Sequence, residues 1–232
     1  MEVMPYRPDL DDVGYDEPQP GTDAPPTVGQ LSSTTAITTS DWQACLPVLW
    51  GTRVTLRELR LDDAASLFAL LTTEEVTRFI SPPPTSVEGF ERFITWAHRQ
   101  RAQGHYVCFA VVPHGSDTAV GLFQIQRPDA DSDTAQWGFA LGSPYWGTGL
   151  FLDGARLVVT FAFEAIGLRR LEARSTIQNG RGNGALRKVG AVREGVLRRS
   201  FQRAGEYFDQ ALWTIQREDW WQDHRVRRPV IH

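Results

Sequence analysis

The residues best placed to do chemistry lie in one run, Trp137-Gly138-Phe139-Ala140-Leu141-Gly142-Ser143-Pro144-Tyr145-Trp146-Gly147-Thr148-Gly149-Leu150. A strand-like stretch ending in Phe139, Ala140 and Leu141 enters a turn with glycines two apart and passes straight into an apolar helix. The first turn of a helix leaves backbone N–H groups unpaired and carries the positive end of the helix dipole, so this junction suits phosphate oxygens. Glycine at 147 and 149 lets the backbone approach a pyrophosphate and take positive φ where needed. No Gly-Lys-Ser/Thr follows, so the run is not a nucleotide P-loop. The third glycine of the dinucleotide fingerprint would fall at Leu152, and no early βαβ unit surrounds it. Taken alone, the two glycines serve a purely structural turn equally well.

The elements that must position this run are readable from Val54 onward. Val54 to Leu59 alternates as a half-buried strand does. Asp62 and Asp63 offer caps to a helix over Ala64 to Leu71, and Ser86, Glu88 and Gly89 open a second one through about Gln103. Tyr106 to Val112, Ala119 to Ile125 and Thr134 to Leu141 then read as three strands joined by short turns, an antiparallel meander. After the glycine turn come a long helix (Leu150 to about Ile166), a strand (Leu171 to Ile177) and a short helix (about Ala185 to Val189). Two more strands, Gly195 to Phe201 and Tyr207 to Ile215, close the pattern. The order is α+β; the Trp220-Trp221 end and the basic Arg225-Val226-Arg227-Arg228 tail carry no pattern.

Composition sets the boundaries. Residues 1–41 hold six of the 14 prolines, eight of the 28 acidic residues and one of the 24 basic ones. So little large apolar surface is available there that the stretch reads as a disordered acidic leader. The expected layout is leader 1–41, catalytic domain 42–222 and basic tail 223–232. Without the leader the chain is mildly basic, which suits an anionic cofactor but is too little for direct nucleic-acid binding. No apolar run approaches the ~18 residues of a membrane span. Two cysteines, Cys45 and Cys108, and five scattered histidines point to a reducing cytoplasm, with neither a disulfide framework nor a metal site.

A second segment, Asn179-Gly180-Arg181-Gly182-Asn183 followed by Arg187-Lys188-Val189-Gly190-Ala191, stands after the next strand. With it the chain resembles the GNAT acetyltransferases, in particular the branch of bacterial ribosomal-protein N-terminal acetyltransferases, over roughly Leu46 to Trp213. Pro144 to Gly149 takes the place of the family's Gln/Arg-x-x-Gly-x-Gly/Ala motif, with proline in place of the usual first residue. Asn179 to Asn183 takes the place of Asn-x-x-Ser-Asn; Glu194-Gly195 and Asp209-x-x-Leu212-Trp213 also fit the branch. The resemblance implies a mixed, mostly antiparallel sheet flanked by helices, with a strand–glycine turn–helix coenzyme site. It implies acetyl-CoA as cosubstrate and a primary amine, a protein N-terminus or a small molecule, as acceptor. Phe139, Ala140 and Leu141 would pair with the pantetheine arm, Trp146 to Leu150 would hold the pyrophosphate, and Asn179 and Asn183 would bond the pantetheine or its thioester end. Capping of the short helix is the competing role for both asparagines.

The catalytic residues stay unassigned. Many family members place a base on the second meander strand, where this chain has Gln124. Many place a tyrosine acid seven residues after the motif asparagine, here Leu186; the branch's serine is Gly182. Glu164, Glu206, Tyr207 and Asp209 are weaker candidates, better explained as solvated or structural, and the placing of His105 and Cys108 disfavours a thiol mechanism. Without an obvious base, an α-amine titrating near ~8 suits the site better than a lysine near ~10.4. Two alternatives stand beside the enzyme: an acyl-CoA-binding module of little or no activity, and a phosphate-binding interaction protein. A homodimer is a further open expectation.

Overall fold

Tyr106 to Val112 is apolar at every position because both sides of that strand are covered. In the computed structural model, which describes residues 41–224, Val107, Phe109 and Val111 point into one core and Tyr106, Cys108, Ala110 and Val112 into another. The sheet between the two cores has eight strands: β1 (Leu49–Trp50), β2 (Val54–Glu58), β3 (Tyr106–Pro113), β4 (Gly121–Gln126), β5 (Thr134–Leu141), β6 (Arg170–Thr176), β7 (Val192–Arg203) and β8 (Glu206–Gln216). Their spatial order is β1-β2-β3-β4-β5-β6-β8-β7. Every neighbouring pair is antiparallel except β5 and β6. The α+β expectation therefore holds, meander included.

Helices α1 (Ala64–Leu71), α2 (Glu74–Thr77) and α3 (Val87–Ala102) line one face. The other carries α4 (Leu150–Glu164), α5 (Gly180–Lys188) and α6 (Arg217–His224). α3 starts as its sequence suggests, the Ser86 hydroxyl accepting from the Gly89 N–H at 3.1 Å. Asp63 does something other than cap α1. Its carboxylate takes both guanidinium nitrogens of Arg57 at 2.7 Å and the Arg60 N–H at 2.8 Å, a buried pair locking β2 to the start of α1. α4 lies close on β4 because Gly154 faces Phe123; a Cβ there would come 2.6 Å from the ring.

Three elements differ from the sequence reading. α5 begins at Gly180, about five residues early, because a side-chain cap overrides the poor helix propensity of three glycines. β7 runs from Val192 to Arg203 and carries register shifts at Arg193/Gly195 and Leu197/Phe201, which blurred its alternation. The Trp220-Trp221 end forms α6, and Trp220 is buried in the α4-side core. Residues 1–40 of the leader and 225–232 of the basic tail lie outside the described residues, while the last leader residue, Asp41, opens a 3-10 turn over Asp41–Gln43. No helix among the described residues is long and apolar enough to cross a membrane.

Candidate functional site

β5 and β6 share only the register Thr134–Gln136 with Arg170–Glu172, then separate into a wedge. β5 stays paired with β4 throughout, and the Gly142 N–H still reaches the Val120 carbonyl at 2.9 Å. Antiparallel alternation therefore turns the backbone N–H and C=O of Phe139 and Leu141 toward the wedge. The indole N–H of Trp146 takes the Leu141 carbonyl at 2.7 Å. The Phe139 and Leu141 backbone thus lines the β5 side of the wedge. The Phe139 ring packs on Phe151 of α4, centroids 4.3 Å apart, fixing this side against the helix start.

The glycine run forms the top of the wedge. Ser143–Tyr145 makes a single 3-10 turn, Gly147 and Gly149 take φ of 78° and 90°, and α4 follows at once. Both glycines thus occupy left-handed backbone that other residues disfavour. Gly149 is the N-cap of α4 and supplies no side-chain cap. The Thr148 hydroxyl donates to the Tyr145 carbonyl at 2.7 Å. The N–H groups of Gly147, Thr148 and Gly149 have no partner among the described residues. A row of donors at the positive end of a 15-residue helix is thereby left open.

Residues to which sequence reading assigns no role complete this end. Asp153, in the first turn of α4, accepts from the Arg53 and Val54 N–H groups at 2.7 and 3.2 Å and from the Thr52 hydroxyl at 3.0 Å. Burial opposes its ionisation, but these bonds outweigh it and hold the carboxyl below the usual range. This tether brings Arg53 beside the loop: a Cβ on Gly149 would lie 3.4 Å from Arg53 Cδ. Across the cleft, the Arg181 guanidinium sits 4.4 Å over the Trp146 ring and joins the two sequence motifs. Neither arginine forms an ion pair among the described residues. Arg53 is distant in sequence and Arg181 falls in the sequence reading within the turn before the short helix, with no role assigned, so only the assembled fold could reveal either.

At the start of α5, Asn179 Oδ1 accepts from the Gly182 N–H at 2.8 Å. Gly182 leaves room for this cap, since a Cβ would come 2.5 Å from the Asn179 amide nitrogen and push it aside. Asn183 donates to the carbonyls of Thr176 and Asn179, both at 2.8 Å, and accepts from Trp213 Nε1 at 2.8 Å. Both asparagines thus take the structural role that competed with ligand binding; Asn179 keeps its Nδ2 uncommitted, while the Asn183 amide nitrogen is used up.

The acid and base positions hold neutral groups. Gln124 is buried and accepts from the Tyr106 hydroxyl at 2.5 Å. Burial, with Cys108 beside it, raises the Tyr106 pKa well above its usual value, so the phenol stays protonated. Leu186 is fully buried. Burial likewise raises the Cys108 thiol, leaving a poor nucleophile. Glu164 and Glu206 are exposed, and Asp209 accepts from the Arg199 N–H at 2.8 Å.

The sequence and the fold that build this cleft are similar to those of known proteins. Residues 53–192 match the model of the acetyltransferase (GNAT) domain. Among curated proteins, p20 of Bacillus licheniformis, described as an uncharacterized N-acetyltransferase, is 23% identical over 75% of this chain and 99% of its own. The uncharacterized N-acetyltransferase YoaA of Bacillus subtilis is 26% identical over 73% of this chain and 96% of its own. In fold, the Mycobacterium smegmatis RimJ structure in complex with CoA-disulfide superposes with a TM-score of 0.67 at 21% identity, covering 74% of this chain and 88% of that one. The ribosomal-protein-S5-alanine acetyltransferase of Vibrio fischeri gives 0.65 at 17% identity, over 75% and 98%. With the domain match spanning more than half of its length, this chain belongs to the GNAT acetyltransferase family.

Proposed function

We propose that the protein moves an acetyl group from acetyl-CoA to a primary amine, with a protein N-terminal α-amine as the preferred acceptor. The observation that carries this reading is the meeting of the β5–β6 splay with the uncapped start of α4. The N–H groups of Gly147, Thr148 and Gly149, led in by Trp146 and followed by Leu150, suit a pyrophosphate. Arg53 and Arg181 add charge for the phosphates. The pantetheine amides pair with Phe139 and Leu141 as an added strand, with Ala140 between them. Asn179 Nδ2 is available to the same arm. Asn183 contributes by holding α5 and β6 in register.

When bound, the thioester supplies an activated acetyl group: the amine nitrogen forms a bond to its carbonyl carbon, the C–S bond breaks, and the amine proton leaves with the sulfur. The chain supplies orientation, through the strand edge, and N–H donors toward the developing oxyanion. With Gln124, Leu186 and a protonated Tyr106 nearby, it supplies no strong base. An α-amine with a pKa near ~8 is partly neutral without help, whereas a lysine near ~10.4 is not. The unpaired thiols of Cys45 and Cys108 fit a cytoplasmic setting. The same lack of acid and base favours a second reading, an acyl-CoA-binding module with little turnover.

Calorimetric titration with acetyl-CoA, followed by a mass-spectrometric acetylation assay on peptides with one free α-amine or one lysine, tests both. Micromolar binding with faster α-amine acetylation is expected. Binding without turnover on any amine selects the module, lysine faster than α-amine overturns the acceptor preference, and no binding overturns the coenzyme site.

A further inference from the structure

The face of β6–β8 opposite α4 and α5 is not part of the α1–α3 core. That core takes its sheet residues from β3, β4 and β5 (Tyr106, Cys108, Ala110, Val112, Leu122 and Ala140) and none from β6 or β8. Along β6, Leu171 and Ala173 point to the α4 side, so strand alternation sends Arg170, Glu172, Arg174 and Thr176 to this other face. Two arginines thus stand on one short stretch of strand, and their surroundings differ. Arg170 bonds Glu172 at 2.8 Å and grips Glu194 with two bonds of 2.9 and 2.6 Å. Arg174 has no ion-pair partner among the described residues, yet its Nε is out of contact with solvent and without a hydrogen bond. Arg174 also lies two residues beyond the last β5–β6 pair, on the wall of the wedge where acyl transfer is placed.

Its neighbours repeat the theme. Thr176 is fully buried and its hydroxyl has no partner. Opposite Thr176 on β8 stands Gln210, 3% exposed, whose Oε1 accepts from the Ser200 hydroxyl at 3.0 Å. Ser200 lies in the second β7 irregularity, beside Arg199 at a φ of 50°. From β7, Arg203 donates to the Ile80 carbonyl at 2.7 Å, so the β7–β8 hairpin reaches the segment between α2 and α3 and closes a rim around this mouth of the wedge. An N–H or hydroxyl buried without a partner destabilises the fold. Two such groups on one wall, one of them on a cation, describe a surface completed by something that arrives with acceptor oxygens.

We infer that Arg174 recognises a carboxylate on the acceptor, so that the preferred substrate is an amine bearing an acidic group one or two residues from the nitrogen. This rests on the acetyl-transfer reading above and narrows it. A guanidinium pairs with a carboxylate through two parallel N–H bonds, and the buried Thr176 hydroxyl, roughly 7 Å along the strand, backs this polar face from within. The same cation repels a polycationic amine of the aminoglycoside kind. The shared chemistry admits an acidic peptide N-terminus or a free acidic amino acid.

Equilibrium binding to the full chain saturated with CoA tests this without requiring turnover. The probes are N-terminal peptides identical except for Asp, Asn or Lys at position 2, and free glutamate against free glutamine. The Asp peptide is expected to bind at least about tenfold more tightly than the Lys peptide, and Arg174→Gln to erase the difference. Arg174→Glu should reverse it, a gain of binding to the Lys peptide that a misfolded variant could not show. Preference for glutamate over glutamine, with none among the peptides, assigns the site to small molecules. Equal binding of all probes by the wild type, or a preference that survives both substitutions, overturns the inference. Loss of acetyl transfer to every amine with the carboxylate preference intact would instead count against the catalytic reading alone.

Discussion

The two helix starts that face each other across the cleft differ in how they are finished. α5 closes its own end: Asn179 takes the Gly182 N–H, and Asn183 ties the preceding strand and the Trp213 indole to the helix. α4 does not. Gly149 has no side chain to offer, Gly147 and Gly149 hold a left-handed path, and three successive N–H groups remain open. Its anchoring comes from Asp153, which bonds the start of β2 rather than the helix's own donors. Both segments are rich in glycine, but one spends that freedom on making room for a cap and the other on leaving donors uncovered. The contrast teaches that a helix start reads as a ligand site by what it leaves unsatisfied, not by its glycine count.

The strongest challenge to this contrast is Gly147→Asp. A Cβ there meets no atom, so the change adds a carboxylate at the phosphate position and strain at a φ of 78°. A like charge within ~4 Å of a phosphate costs about 3–4 kcal/mol at a protein surface, so acetyl-CoA affinity measured by calorimetry should fall on the order of a hundredfold or more. Asp153→Asn should come next. It weakens charge-assisted bonds and should lower stability by about 1.5–2 kcal/mol. Because the folded-state pKa of Asp153 is depressed, its contribution is present above the unfolded value of ~3.9 and is lost as pH falls through the folded value. Denaturant midpoints followed from pH 6 to pH 2 should therefore fall more steeply in the wild type than in the variant. The smallest effect belongs to Gly182→Ala, which pushes the Asn179 cap aside and should cost about 1 kcal/mol in thermal unfolding, with only a few-fold change in acetyl-CoA affinity. Should Gly182→Ala weaken binding as much as Gly147→Asp, the two helix starts would be equal parts of one site.

Much of the fold was legible because its signals are local. The nearly continuous apolar run of Tyr106 to Val112, the Ser86 cap and the strand–turn–helix passage at 137–150 depend on neighbours in the chain. α5 was misplaced at its start because the capping bond that outweighs its glycines is a matter of geometry, not propensity. β7 was shortened because its register shifts break the alternation by which strands are read.

What the sequence determined by itself is the family-scale plan: an α+β chain whose glycine pair must sit at a strand-to-helix junction, with positions 124 and 186 unable to act as base or acid. The first conclusion follows from residue type and spacing, which survive any arrangement of the rest; the second follows from residue type at positions that the family resemblance marks. Tertiary structure decided which charges meet. Arg53 reaches the α4 loop only because Asp153 draws β2 onto that helix, and Arg174 is left without a carboxylate only because Glu172 and Glu194 both turn to Arg170. Electrostatic partners are chosen by distances between segments far apart in the chain, and those distances exist only once the sheet has closed.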